Sequence, residues 1–254
     1  MIKNFFKKFL YPLRKLATQF ILKDDLFPSP INLAATYIHF EDVEGDYLEF
    51  GCFKGYSFIK AYNCITSAPK KYSSFEKPTI VYNHNKILKK NEKNLRKRER
   101  KFFAFDSFQG LPKLQEQDKD HPLFFEGRYY CSEKDFLKIL SNSKVRLEDV
   151  TIVPGYYEKT LDEKLKKNIE LKKAAIVMID CDLYSSTKIV LNFITNLIDN
   201  GTIIIFDDWF TYKARSDMGE QKACKEWLAK NKGIKLIPYA RYSYTQMSFI
   251  VNKI

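Results

Sequence analysis

The sequence predicts an α/β fold: a doubly wound, mostly parallel seven-stranded sheet with an antiparallel C-terminal strand pair. Three observations carry this. Two unbroken aliphatic runs, AAIVMI at 174–179 and TIIIF at 202–206, read as strands buried on both faces of a parallel sheet. Between them, residues 185–198 place Ile189, Val190, Phe193, Ile194, Leu197 and Ile198 at helical spacing, and Asn200-Gly201 supplies the stop. Strand and helix patterns alternate five times before two last strands, at 235–239 and 247–252, follow with only a turn between them, which makes that pair antiparallel.

Composition narrows the class. A chain of 254 residues with 45% apolar content suits one soluble α/β domain with a large core. The net charge of +12 is concentrated: residues 1–25 hold six Lys/Arg against two Asp, and residues 66–101 hold twelve against three Glu. The remainder is nearly neutral, so the basic segments are local features of a solvated surface or of an anion-attracting patch. Five scattered cysteines (Cys52, Cys64, Cys131, Cys181, Cys224) show no zinc spacing and no disulfide framework, which fits a reducing cytoplasm. No apolar run reaches membrane-spanning length and no signal-peptide pattern opens the chain.

Each element follows from its own pattern. Residues 1–22 set Phe5, Phe6, Phe9, Leu13, Leu16 and Phe20 among lysines at helical spacing, with Pro12 splitting the helix. Such a segment either packs on the domain or a second copy in a homodimer, or lies on the inner face of a membrane. With a short helix at 32–40, it makes residues 1–40 a helical cap or anchor, and 41–254 the main domain. A first strand at 47–50 runs into the turn Gly51–Gly55 and a helix from Ser57. That arrangement brings backbone close to a ligand at a helix N-terminus. Glu49, at the strand's end, suits a ligand with a positive amino group.

The lysine-rich stretch 66–101 reads as an insertion with a helix over 85–100 and a surface His84. The second strand, 101–105, ends in Asp106-Ser107, and an acid there is the position that grips ribose hydroxyls in nucleotide-binding α/β folds. Residues 113–131, with Asp118, Asp120, His121 and several aromatics, form a loop long enough to be a lid or binding loop. Ser132-x-x-Asp135 caps a helix to Leu140. The third strand, 150–153, leads to Pro154-Gly155-Tyr156-Tyr157 and a helix at 161–169. After the fifth strand comes an amphipathic helix at 219–231 with Ala223, Trp227 and Leu228 inward.

The acids after strands four and five are the chemical signal. Asp180 and Asp182 follow the fourth strand, Asp207 and Asp208 the fifth, at the edge where open α/β sheets bind ligands. Four carboxylates at one mouth repel one another unless a proton or cation is shared, and a hard divalent metal satisfies them.

In this order, GDYLEFGCFKGYSF, FAFDSFQGLP, VPGYYEKTL, IDCDLYSST and GTIIIFDDW resemble the macrocin O-methyltransferase family of class I S-adenosylmethionine-dependent methyltransferases. The resemblance spans residues 45 to 210 and implies a Rossmann-like fold and methylation of a sugar hydroxyl. It implies cofactor-binding roles for Glu49, Gly51, Gly55, Ser57, Asp106, Ser107, Gly155 and Tyr156, with Asp106 on the ribose. It also implies that Asp180, Asp207 and Asp208 hold a divalent cation, usually Mg2+, with Mn2+ or Fe2+ as alternatives. Tyr56 departs from the family pattern, where a second glycine is usual, and the segment 66–100 is longer.

Methyl transfer to an alcohol needs a stabilised oxygen and a proton acceptor. Asp180, at the strand end nearest the cofactor, is the first catalytic candidate and Asp182 the second, with His39 and His121 as other conceivable bases. Catechol-type relatives carry a lysine three residues after the first metal aspartate, where this chain has Leu183, so neither a lysine base nor a catechol acceptor is supported. A nucleotide-linked sugar for capsule or lipopolysaccharide would match the Lys and Arg near the mouth. Two rivals stand beside this reading. Asp180-Cys181-Asp182 also looks like the D-x-D metal motif of a glycosyltransferase, and the basic segment suggests an RNA methyltransferase, although nucleic-acid signatures are missing.

Overall fold

The computed structural model describes residues 29–73, 99–119 and 121–254. The expectations for 1–22, for His84, for Asp120 and for most of the helix at 85–100 fall outside these residues.

Seven strands form one sheet in the order β3-β2-β1-β4-β5-β7-β6. They are β1 (Asp46–Phe50), β2 (Phe102–Asp106), β3 (Val150–Pro154), β4 (Ala174–Ile179), β5 (Ile203–Phe206), β6 (Ile234–Tyr242) and β7 (Gln246–Lys253). The first five pair in parallel, while β7 runs antiparallel between β5 and β6. This is the predicted class: a Rossmann-like, doubly wound sheet with an antiparallel C-terminal pair. The strand order reverses between β1 and β4, the crevice where such sheets bind ligands.

Alternate residues of every central strand are apolar on both faces. Leu48, Phe50, Phe103, Phe105, Val177, Ile179, Ile204 and Phe206 pack with α6 (Tyr184–Ile194) and α7 (Gly219–Lys230). Tyr47, Phe102, Ala104, Ile176, Met178, Ile203 and Ile205 meet α1 (Pro30–Phe40), α2 (Tyr56–Ser73) and α3 (Glu133–Asn142) on the other face. Ser29 caps α1 and Ser132 caps α3 through their hydroxyls, each satisfying an amide the helix leaves unpaired.

Several boundaries differ from the sequence expectation, for local reasons. The helix expected at 161–169 is α5 (Glu163–Asn168), and a separate one-turn helix, α4 (Tyr157–Thr160), precedes it. Asp162 takes an extended conformation between them and its carboxylate accepts the Leu165 amide at 2.6 Å. It starts a new helix instead of continuing the old one. The helix after β1 runs on to Ser73, into the lysine-rich stretch read as an insertion. The β6–β7 hairpin is longer than expected, and its tip overhangs the carboxyl edge of the sheet. No described helix is long and apolar enough to cross a membrane.

Candidate active site

The strand ends are stitched into one edge. The first amide after β1, β3, β4 and β5 bonds a neighbouring strand: Gly51 to Phe105 O, Gly155 to Asp106 O, Asp180 to Phe50 O and Asp207 to Ile179 O, all at 2.9–3.0 Å. A cavity of about 590 Å3 opens along this edge, and Gly51, Asp106, Ser107, Asp180, Asp182, Asp207 and Asp208 all line it.

Gly51 is required there by sterics. Its φ is +87°, and a Cβ would sit 1.8 Å from the Asp180 carbonyl oxygen, so any side chain would separate β1 from β4. The turn after β1 is braced by Asp106. Its Oδ2 accepts the amides of Cys52 (2.7 Å) and Phe53 (3.0 Å), and its Oδ1 accepts that of Phe108 (2.7 Å). Burial pushes the Asp106 carboxyl up while these amides pull it down. Ser107 donates to Gly110 O at 2.7 Å, and Tyr156 lines the cavity at the start of α4.

The remaining cofactor candidates lie behind this wall. Glu49 is fully buried and accepts hydrogen bonds from the hydroxyls of Tyr47 and Ser57. Burial raises its carboxyl to about 8 against those hydrogen bonds, with Asp207 and Asp106 adding to the rise. Neither Glu49, Ser57, Gly55 nor Gly155 is on the cavity surface. Gly55 makes room for the Phe136 ring, 2.8 Å from where its Cβ would be, and Gly155 for the Thr160 methyl. The structure brings them to the shell that shapes the turns.

The acids converge. Asp180, Asp207 and Asp208 each offer one oxygen to a cluster whose atoms lie within 4.8 Å of one another. Burial, then Asp207 and Asp182, hold the Asp180 carboxyl well above the usual range. Burial and Asp208 push Asp207 up to about 6, against a hydrogen bond from the Gln246 amide. Asp208 is raised by burial and pulled down by the Thr211 hydroxyl, which donates to it at 2.8 Å, and by Asp182. Asp182 sits outside the cluster at a left-handed φ of 62°, its carboxyl raised by burial first and by the neighbouring Asp208 second. Three oxygen donors, half-buried, mutually repelling and open to a cavity fit a hard divalent cation.

Several residues that the sequence did not single out complete the site. Glu220, almost fully buried in the first turn of α7, accepts the Asp208 amide at 3.0 Å, and its other oxygen has no hydrogen-bond partner among the described residues. Its carboxyl is raised well above normal by burial and then by Asp208. The twelve-residue separation from Asp208 gave no periodic signal. Tyr244 and Thr245 reach the cavity from the tip of the hairpin, and Glu158 from α4.

The expected binding loop is folded over one side. The Leu111 amide bonds Arg128 O at 2.8 Å and the Gly127 amide bonds Leu111 O at 2.9 Å, closing its base. Leu111 and Phe124 pack with Leu183 and Tyr212 in a small separate core. Asp118 is fully buried facing the start of α6. Burial raises its carboxyl, opposed by the hydroxyl and amide of Ser185 and the amide of Tyr184. Among the described residues no donor reaches hydrogen-bonding geometry with either oxygen, so the pairing with α6 is electrostatic, a carboxylate at a helix N-terminus.

His121 lies against Phe124 (4.3 Å) and Tyr212 (5.3 Å) on the cavity wall. Burial lowers its pKa, opposed by Asp208, and Nδ1 has no hydrogen-bond partner among the described residues. His39, in contrast, meets Phe40 edge to face at the end of α1 and does not line the cavity. Next to the acids, Tyr212, Lys213 and Ala214 all have φ near +57°, a left-handed turn without glycine. Each such residue costs roughly 1–2 kcal/mol, and strain of this kind concentrates at functional sites.

The comparisons agree with this geometry. The macrocin O-methyltransferase (TylF) family model matches residues 86–231. Among solved structures, the O-methyltransferase NovP superposes with a TM-score of 0.60 at 19% identity, covering 87% of this chain and 77% of its own. The calicheamicin methyltransferase CalS11 gives 0.58 at 20% identity, covering 92% and 85%. An O-methyltransferase from Bacillus cereus in complex with SAH gives 0.50 at 13%, covering 94% and 88%. These likenesses concern the fold. Comparison with curated proteins finds no match. The matched span includes β2 to β5 and all four acids, and it sets aside the glycosyltransferase reading of Asp180-Cys181-Asp182. The chain belongs to the macrocin O-methyltransferase family and is an S-adenosylmethionine-dependent O-methyltransferase.

Proposed function

We propose that the protein methylates a sugar hydroxyl with the help of a divalent cation, Mg2+ in the first instance, and that the acceptor is a nucleotide-linked sugar for capsule or lipopolysaccharide. The observation that carries this is the Asp180–Asp207–Asp208 cluster, three oxygens within 4.8 Å, beside the Gly51 turn on one cavity wall. The CalS11 apo structure is described as a TDP-rhamnose 3'-O-methyltransferase, at 19% identity, which supports a sugar acceptor on this fold.

When bound, S-adenosylmethionine supplies the methyl group, and a divalent cation supplies Lewis-acid stabilisation of an acceptor oxygen. The chain's own residues do the rest. The turns at Gly51 and Asp106-Ser107 shape the cofactor side of the cavity. Asp180, Asp207 and Asp208 would hold the cation, with Glu220 fixing the Asp208 backbone and Gln246 the Asp207 carboxylate. Asp182 lines the same cavity but lies outside the cluster, which favours it over Asp180 as the group that takes the hydroxyl proton. The loop at 121–129 and Tyr212 cover the other side and exclude water.

The test is methyl transfer from labelled S-adenosylmethionine to a panel of nucleotide sugars, with and without EDTA. EDTA, Asp180→Ala and Asp207→Ala should each abolish turnover, and Asp182→Asn should lower kcat more than it raises KM. Full activity in EDTA, or label appearing only in lipid or RNA, would overturn the proposal.

A further inference from the structure

We infer that Arg128 and Lys213 form an anion-binding subsite on the rim of the acceptor cavity, and that its ligand is a phosphate of the acceptor. This rests on the reading that the acceptor is a nucleotide-linked sugar, and adds which residues hold its phosphates.

Two independent observations support it. Arg128 lies on the cavity wall, its guanidinium over the rings of Phe125 (5.1 Å) and Tyr129 (4.9 Å). Arg146 and Arg215 pair with Glu148, Asp149 and Asp217. The Arg128 guanidinium has no such ion pair and no hydrogen bond among the described residues, and its Nε is buried without an acceptor. A guanidinium carries five donors in a fixed fork that matches phosphate or carboxylate oxygens. Its backbone is held by the Leu111 amide, so the fork is presented from an anchored position.

Lys213 comes from a different element. It is exposed on the same cavity, at the centre of the left-handed turn Tyr212–Ala214. A lysine with ordinary surface duties would not require three strained residues to present it. The turn is held by Tyr212, which packs on His121 and Phe124 and fits against Gly219, where a Cβ would come within 2.8 Å of the ring. Arg241, over the Phe210 ring at 4.7 Å, adds positive charge beside a third lining residue.

Charge distribution gives the polarity of binding. The acids form the cavity floor at the strand ends, while Arg128, near enough to Asp182 to pull its carboxyl down, and the exposed Lys213 line the rim of the same cavity. An anionic group is repelled from the floor and held at the rim. The hydroxyls of the same molecule then face Asp180, Asp182, Asp207 and Asp208. A fork donor and a point charge from two elements match a phosphate with several oxygens better than a single carboxylate.

The test uses the full chain loaded with S-adenosylhomocysteine in EDTA, so that no cation bridges the probe to the acids. UDP, dTDP, uridine and glucuronate are titrated calorimetrically. At least one diphosphate should bind about tenfold or more tightly than uridine. Arg128→Gln and Lys213→Gln should each remove about tenfold of that affinity, Arg128→Lys less. Unchanged S-adenosylhomocysteine binding shows that the variants fold. Binding of neither diphosphate, diphosphate binding that ignores both substitutions, or Arg128-dependent binding of glucuronate alone would overturn the proposal. A parallel methylation assay compares neutral methyl glycosides with nucleoside-diphosphate sugars. Equal methylation of both overturns the subsite and leaves the sugar reading intact. Methylation of neither, with diphosphate binding that needs both cations, keeps the subsite and overturns the sugar reading.

Discussion

Replacing Glu49 by glutamine should flatten the protein's stability against pH. Glu49 is fully buried, with only the hydroxyls of Tyr47 and Ser57 to solvate it, and its carboxyl is pushed to about 8 from an ordinary 4.5. Between those two values the folded protein keeps a proton that the unfolded chain has released. Stability from this group is therefore full below about pH 4.5 and is lost as pH rises through about 8. A gap of about 3.5 pH units, at about 1.4 kcal/mol each, amounts to about 5 kcal/mol. For a chain of this size that corresponds to roughly 10–20 °C in Tm. Asp180, Asp182 and Asp207 are raised as well, so the wild type declines with pH for several reasons. The difference between wild type and Glu49→Gln isolates the one group. Melting temperatures measured by calorimetry from pH 5 to pH 9, in EDTA and without cofactor, should coincide in acid and diverge in favour of the variant in base. Parallel curves would refute the reasoning, as would a variant less stable than wild type at pH 9.

Three further outcomes follow from other parts of the site. Gly51→Ala puts a Cβ 1.8 Å from the Asp180 carbonyl and should cost more than about 3 kcal/mol. Gly127→Ala, with φ +78° and nothing within 4 Å, should cost only about 1 kcal/mol, and equal losses in urea unfolding would contradict the steric account. Ala214→Gly relaxes one residue of the left-handed turn and should stabilise by roughly 0.5–1 kcal/mol, visible as a Tm a few degrees higher. Mg2+ should raise Tm more at pH 8 than at pH 5.5, because a cation at the acids competes with the protons that burial and mutual repulsion keep on Asp180 and Asp207. A Mg2+ effect that is absent, or independent of pH, would count against a cation there.

Much of the molecule was readable one element at a time. AAIVMI and IIIF had to be strands covered on both faces, and the acids ending them had to meet at one edge once the strands were parallel. The final pair, with no room for a crossover helix, had to be antiparallel. Asp106 was readable as a residue of the site. What could not be read was its present task of holding the Cys52, Phe53 and Phe108 amides, because two of those donors are more than fifty residues away. Asp162 was read as helix interior, since a capping aspartate and a helical one look alike inside a periodic run.

Local pattern by itself therefore determined the sheet class, the strand ends and the presence of a carboxylate cluster, since these depend on burial periodicity and on charge that has no place in a core. Tertiary structure alone decided which carboxylates cluster and which stand apart. Asp180, Asp207 and Asp208 share a site, Asp182 hangs beside it, Glu220 supports it from α7 and Glu49 lies behind the wall. Those roles depend on a register between β1, β4 and β5 set by hydrogen bonds across the sheet. They depend too on a turn at Tyr212–Ala214 whose left-handed backbone no glycine announces. Distances between residues far apart in the chain are set by packing, and packing is a property of the whole fold.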